Sequence, residues 1–265
     1  MDVVNVRAQV NRRTFIRRVA GAGMAATAAS GTAGAAIRAF ALGTDAKPVR
    51  LCMLSGSAEY KSNESLAAFQ EVVEKDYPVK CSRAFWTSKT SLPGLDALEQ
   101  CDVMLLFTKR LEIPGEQLEL VKKYCLAGRP VVGLRTASHA FQNWLELDRE
   151  VLGGDYKGHY KSGLLTKVEI VEGVSDHPVL KGVQPFETPS KLYKNPHIAD
   201  DTKLLLTGSI PEHTEPLAWT RAHNSGRVFY TSLGGPEDFE MPVFRRLLVN
   251  AVFWSANRRV EANLD

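Results

Sequence analysis

Asp102-Val103-Met104-Leu105-Leu106-Phe107 is an almost unbroken apolar run, followed by Pro114-Gly115-Glu116-Gln117 and then by Gly128-Arg129-Pro130-Val131-Val132-Gly133-Leu134. A short run of this kind reads as a strand buried on both faces, as central parallel strands are. Proline in the first turn with acids close behind predicts a helix start at 114. That helix runs to about Ala127 and stops at Gly128, a C-cap. Pro130 to Leu134 is the next strand, and a further helix is expected to begin near Ser138. Upstream the order is the same. Val49 to Leu54 is a buried strand ending in the turn Ser55-Gly56-Ser57, and from Ser62 onward Leu66, Phe69, Val72 and Val73 share one helical face. Val79 to Phe85 is another strand. Strand and helix in strict alternation predict a parallel sheet covered on both faces.

Downstream the pattern is less regular. Gly153-Gly154-Asp155-Tyr156-Lys157-Gly158-His159 is a glycine-rich loop, and Leu164 to Val171 alternates apolar and polar residues as an exposed strand does. Lys203 to Leu206, Leu217 to Thr220 and Arg227 to Thr231 read as further strands. Pro242 to Asn257 is a closing helix whose apolar face holds Phe244, Leu247, Leu248, Ala251, Val252 and Trp254. There is no internal repeat, and nothing linker-like divides residues 49–258, which are read as one domain with a tail at 259–265.

Residues 1–41 read as an address. Asn11-Arg12-Arg13-Thr14-Phe15-Ile16-Arg17 resembles a twin-arginine export signal, and a weakly apolar stretch rich in Ala and Gly follows from Val19 to Ile37. Ala39-Phe40-Ala41 offers a signal peptidase its small residues, so cleavage after Ala41 is expected, with 42–48 as a linker. The twin-arginine translocase is then a partner during export, and the location is periplasmic or extracytoplasmic. The rival is an uncleaved anchor, although so much Gly, Ala, Ser and Thr makes a poor hydrocarbon span. The formal charge of +3 owes much to arginines of this segment, so it indicates no nucleic-acid partner. The four cysteines, Cys52, Cys81, Cys101 and Cys125, form no CxxC pair and read as small core residues.

Three segments carry a family resemblance: Gly128 to Phe141 (GRPVVGLRTASHAF), Asp176 to Gly182 (DHPVLKG), and Pro216 to Arg221 (PLAWTR) with Gly226 to Gly234 (GRVFYTSLG), continued by Pro242 to Trp254. Together they resemble the ThuA-like proteins. That resemblance implies an α/β fold, a flavodoxin-like three-layer sandwich with a mainly parallel central sheet, in the class I glutamine amidotransferase-like variant. It also implies carbohydrate metabolism, with a keto-sugar or glycoside derived from a disaccharide such as trehalose as substrate. Two departures matter. Gly235 stands where the family leads one to expect a histidine. Arg135 stands at the strand-to-helix turn where amidotransferases carry a nucleophilic cysteine, which argues against glutamine hydrolysis.

Ligands of open α/β sheets bind outside the carboxyl ends of the strands. That rule selects Ser57, Glu59 and Tyr60 after the first strand, Lys109 and Arg110 after the third, Arg135, Ser138 and His139 after the fourth, and Glu237 and Asp238 after the last. His139 is the candidate acid/base group, expected neutral at a helix start; the alternative is a backbone-bonded helix-start histidine. Glu59 is the candidate second carboxylate, or a solvated loop residue. Arg135 is the candidate oxyanion anchor, or half of a structural ion pair. Ser57, Tyr60 (by stacking on a sugar ring), Arg110, His159 and Glu237 are candidate substrate-binding residues, with Arg110 alternatively paired to Glu112 and His159 alternatively in a plain turn. Lys191 and Tyr193 fall at the rim. No cofactor is predicted. His139, His159, Glu59 and Asp155 are suitable ligand types for a divalent metal, but no HxH or HExxH spacing supports one, and no nicotinamide or phosphate motif is readable. The rival to an enzyme is a non-catalytic sugar-binding module, which Gly235 favours; a partner-binding role on a degenerate fold is the third reading. Oligomeric state is not legible.

Overall fold

The structure, a computed structural model, describes residues 47–260. The expected signal segment, the linker up to 46 and the tail from 261 lie outside the described residues.

Nine strands form one sheet: β1 (Val49–Gly56), β2 (Val79–Phe85), β3 (Val103–Thr108), β4 (Val131–Leu134), β5 (Thr166–Ile170), β6 (Phe186–Thr188), β7 (Lys203–Ile210), β8 (His213–His223) and β9 (Gly226–Thr231). Their spatial order is β2-β1-β3-β4-β9-β8-β7-β5-β6. From β2 to β9 every pairing is parallel, and from β9 to β6 every pairing is antiparallel. The sheet is therefore mixed, which corrects the expectation of a mainly parallel one.

The parallel half has the predicted layering. Leu51 and Met53 of β1, with Val103, Leu105 and Phe107 of β3, join one buried cluster. Cys52 and Leu54, with Met104 and Leu106, join the other. The period of two along each strand thus feeds two cores at once. The first core is closed by α1 (Ser62–Asp76) through Leu66, Phe69 and Val73, and by Phe244, Leu247, Leu248 and Val252 of the last helix (Pro242–Ser255). The second is closed by α2 (Gly115–Leu126) through Leu118, Val121 and Tyr124, together with Trp144 and Leu147. Between these, a short α3 (Pro236–Glu240) precedes that last helix, α4. Among the described residues no helix is long and apolar enough to cross a membrane.

The strict alternation of strand and helix breaks at two connections, one of them the helix expected near Ser138. Between β2 and β3 the chain makes only a 3-10 turn, Leu95–Glu99, after Pro93-Gly94. After β4 there is a 3-10 turn, Arg135–His139, and later a π turn, Asp148–Leu152. The reason is competition for backbone groups. The His139 carbonyl accepts from Arg110 N at 2.8 Å, the Ala140 carbonyl accepts from Leu111 N at 2.9 Å, and Gln142 N donates to Leu111 O at 2.7 Å. Strand-like pairing with 110–111 thus takes the groups a helix would use.

The two halves of the sheet meet at the β8–β9 hairpin, whose two-residue turn, Asn224-Ser225, has positive φ at both positions, as a type I′ turn requires. Asn224 Nδ2 donates to Leu126 O at 3.0 Å, docking the turn on the end of α2. The approach is close enough that a Cβ on Gly128 would stand 1.8 Å from Asn224 O, and one on Gly226 would stand 2.1 Å from Gly128 O.

Candidate functional site

Strand order reverses between β1 and β3, and the loops after β1, β3, β4 and β9 converge at that edge, where an open α/β sheet binds ligands.

Arg135 forms its floor. The residue is buried to 1% exposure and held at φ +46, a left-handed conformation that any side chain with a Cβ adopts at a cost. Tyr230 OH and Ser138 Oγ donate to its carbonyl at 2.8 and 3.3 Å, and its own Nη1 donates to Ser232 O at 2.7 Å. Its guanidinium carbon lies 4.4 Å from the Tyr60 ring centre and 4.8 Å from that of Tyr193. Among the described residues no carboxylate pairs with it, and Nε is buried without a partner. Burial opposes the charge, but the oxygens of Tyr193 and Tyr60 outweigh it and raise the pKa, so the group stays cationic.

His139 sits above this floor, 5% exposed. Its Nδ1 is 3.0 Å from Ser138 Oγ, and its ring stacks on Tyr156 with centres 4.4 Å apart. Burial, then the charges of Arg110 and Lys109, push its pKa down to about 3. It is neutral, as expected, but the cause is burial among cations rather than a helix start.

Glu59 stands at the mouth, bonded to Lys109, with Lys191 Nζ 3.8 Å away. The Lys109 hydrogen bond holds its carboxyl below the usual range. Arg110 is exposed, at φ +45, and its Nη1 donates to Gln142 Oε1 at 3.0 Å rather than pairing with Glu112. Ser57 is fully buried, with an unpartnered Oγ. The Tyr60 ring lies between Arg135 and Phe107. His139, Glu59, Arg135, Arg110, Ser57 and Tyr60 are thus brought to one edge. His159 is not brought into the cluster: it is exposed, with Nδ1 2.8 Å from Tyr160 O. Glu237 is exposed in the first turn of α3.

Next to Glu237, Asp238 is fully buried and accepts from Thr188 Oγ1, from Ser190 Oγ at 2.7 Å, and from the N–H groups of Gly234 and Gly235 at 2.7 and 2.8 Å. It braces the loop after β9 against β6. A Cβ on Gly235 would come 2.6 Å from Ser190 Oγ, so Ser190 occupies the space a side chain at 235 would need.

A cavity of about 360 Å³ opens beside His139, lined by Arg110, Ser138, His139, Asp148, Tyr156 and Lys157 among others. Tyr156 and Asp148 were not singled out in the sequence. Asp148 is 7% exposed; its Oδ2 accepts from Tyr156 N at 2.9 Å, and its Oδ1 is buried without a partner. Burial pushes its pKa up to about 7. The readable signal was Gly153-Gly154: a Cβ on Gly154 would stand 2.4 Å from Asp148 Oδ1. A larger cavity, about 880 Å³, lies at the amino edge of the parallel strands near Arg50, Cys101 and Arg129, away from this cluster. All four cysteines are free, and none stands at the turn after β4. Among the described residues no three His, Cys, Asp or Glu side chains group as metal ligands.

Comparison with known proteins agrees with this architecture. None of the curated proteins matches. A ThuA-like protein from Bacteroides uniformis superposes with a TM-score of 0.60 at 19% identity, over 79% of this chain and 91% of its own. One from Parabacteroides merdae gives 0.63 at 18% identity, over 82% and 93%. A beta-galactosidase from Bacillus circulans gives 0.55 at 11% identity, over 80% of this chain but 32% of that one. The family model described as "ThuA: Trehalose utilisation" matches residues 50–255, and the chain therefore belongs to the ThuA family.

Proposed function

We propose that this protein is an exported enzyme of carbohydrate metabolism that promotes proton transfer next to the carbonyl of a keto-sugar or glycoside. The observation that carries the reading is His139: a buried, neutral imidazole lining a cavity at the switch edge of the sheet, in the field of Arg110, Lys109 and Arg135. An imidazole that titrates near pH 3 is a weak base at neutral pH but a sound hydrogen-bond donor. Its role is therefore to donate to the sugar carbonyl through Nε2, which requires the Ser138 hydroxyl to turn from the Arg135 carbonyl and donate to Nδ1. The ionised Glu59 receives the proton from the adjacent carbon. A neutral histidine beside a carboxylate base is a known division of labour for enolisation. Arg135, fixed beneath Tyr60 and Tyr193, favours the negative charge that develops. Assigning Glu59 rather than His139 as base departs from the sequence expectation: both groups are weak bases, and only the histidine carries an N–H to donate to the carbonyl.

The test is turnover of trehalose, other glycosides and their 3-keto derivatives, with and without divalent metal, followed by mass spectrometry and by solvent deuterium entry next to the carbonyl. Loss of product and exchange in His139→Ala and Glu59→Gln is expected; unchanged turnover in His139→Ala would sink the assignment.

The second reading, a non-catalytic sugar-binding module, is favoured by the closed position at Gly235, where Ser190 leaves no room for a side chain. Sugar affinity without product across the panel would select it. The five parallel strands are taken as a flavodoxin-like, amidotransferase-like core, to which β5 to β8 add an antiparallel wing. Export by the twin-arginine route rests on Asn11 to Arg17 and is tested by locating the protein in cells carrying Arg12→Lys and Arg13→Lys.

A further inference from the structure

We infer that the ligand of this site carries a negative charge, as a carboxylate or a phosphate monoester on a single sugar ring, and that Arg110 binds it. The inference rests on the reading of the His139 cavity as a sugar site and adds the substrate class.

The argument starts from charges left without a partner. Around the cavity Lys157 is paired with Asp155 at 2.6 Å, and at the mouth Lys109 and Lys191 share the single carboxylate of Glu59. Glu146 and Arg149, both lining the cavity, offset one another in sign, and Asp148, its pKa raised by burial to about 7, carries part of one negative charge there. Arg110 and Arg135 remain, and neither has a carboxylate partner among the described residues. Arg135 is buried and engaged by tyrosines, so it contributes a fixed field. Arg110 is exposed, lines the cavity, and holds only the neutral amide of Gln142.

Its position is also enforced. Arg110 N donates to His139 O at 2.8 Å, and its φ of +45 is kept despite the cost to a long side chain. Strain retained at a cleft, on a residue tied to the candidate reacting group, points to a ligand contact. A guanidinium pairs with carboxylate or phosphate in two parallel hydrogen bonds, which a neutral sugar does not offer. A cavity of about 360 Å³ is at the small end of ligand sites and suits one ring better than two.

The experiment is titration calorimetry of the full chain with glucuronate, glucose 6-phosphate, glucose and trehalose, at low and raised salt, for the wild type, Arg110→Gln and Arg110→Lys. One charged sugar should bind at least tenfold tighter than glucose. Arg110→Gln should lose about tenfold to a hundredfold for that sugar alone, the range of a charge-assisted hydrogen bond, and salt should weaken it. Arg110→Lys should retain part of the affinity, showing that charge rather than folding is at issue. Which charged sugar binds decides between carboxylate and phosphate. Glucose or trehalose binding as tightly as the charged sugars, or an unaffected Arg110→Gln, would overturn the inference and leave the sugar site standing. No binding by any of the four would remove the sugar site, and the inference with it.

Discussion

Asp148→Asn should stabilise the protein by an amount that grows from about pH 4 to about pH 7 and is constant above that. Asp148 is buried, accepts one backbone hydrogen bond through Oδ2, and leaves Oδ1 without a partner. Its pKa is therefore raised by burial, from 3.8 to about 7. An acid that binds its proton more tightly when folded favours the native state most at low pH. That contribution is complete below the unfolded value near 3.8, declines as pH rises, and is gone above about 7. At 1.36 kcal/mol for each pH unit, the span corresponds to roughly 4 kcal/mol, an upper bound because the loop relaxes around an ionised group. Against a typical stability of about 5–15 kcal/mol this is readily measured. Asparagine keeps the shape and an acceptor for Tyr156 N, and its amide nitrogen mimics the protonated oxygen. Urea unfolding followed by the fluorescence of buried Trp144 and Trp219, at intervals from pH 4.5 to 8.5, gives the difference between variant and wild type. Other titrating groups, His177 and His223 included, are common to both proteins and cancel. The gap should be about 1 kcal/mol at pH 4.5, rise with pH, and level off above pH 7. A gap independent of pH, or one that closes as pH rises, would refute the account of Asp148.

Three other outcomes are expected. Asp238→Ala orphans two hydroxyl and two backbone donors in the core, each costing about 1–3 kcal/mol, so a loss of at least about 4 kcal/mol should appear in the same unfolding assay. Gly235→His should cost about 1–3 kcal/mol through its clash with Ser190, and together with Ser190→Gly, which alone loses a bond to Asp238, it should cost less than the sum of the two; purely additive losses would argue against the clash. Because His139 titrates near pH 3, its proton NMR shifts should stay flat from pH 5 to 8, and turnover should show no acid limb from it there.

Legibility followed sequence distance. Apolar runs placed β1, β3 and β4 within a residue or two, because a strand buried on both faces must be largely apolar. The antiparallel half was less clear. β6 is three residues long, Phe-Glu-Thr, too short to show a period, and the β4–β9 pairing joins residues nearly a hundred positions apart. The helix expected near Ser138 failed for a related reason: the competing partner of its backbone, 110–111, is remote in sequence. Within the site, the strand-end rule found His139, Glu59, Arg135 and Arg110, since their loops directly follow parallel strands. It missed Tyr156 and Asp148, which enter from the segment after β4 and belong to no strand end. In the glycine-rich loop residue type singles out His159, which faces solvent, whereas Tyr156, three residues earlier, packs on His139.

The contact between Gly128 and the β8–β9 turn has an evolutionary consequence. Most tight contacts can drift, because a larger side chain on one partner is answered by a smaller one on the other. Here the atoms in contact are main-chain atoms, Asn224 O and Gly128 O, which no substitution shortens. Neither glycine can be rescued by a second change, so the two positions should not covary among close relatives. They should be frozen as glycine in every sequence that keeps this hairpin on this helix, and their joint loss would mark a lineage that had rebuilt the seam between the two halves of the sheet.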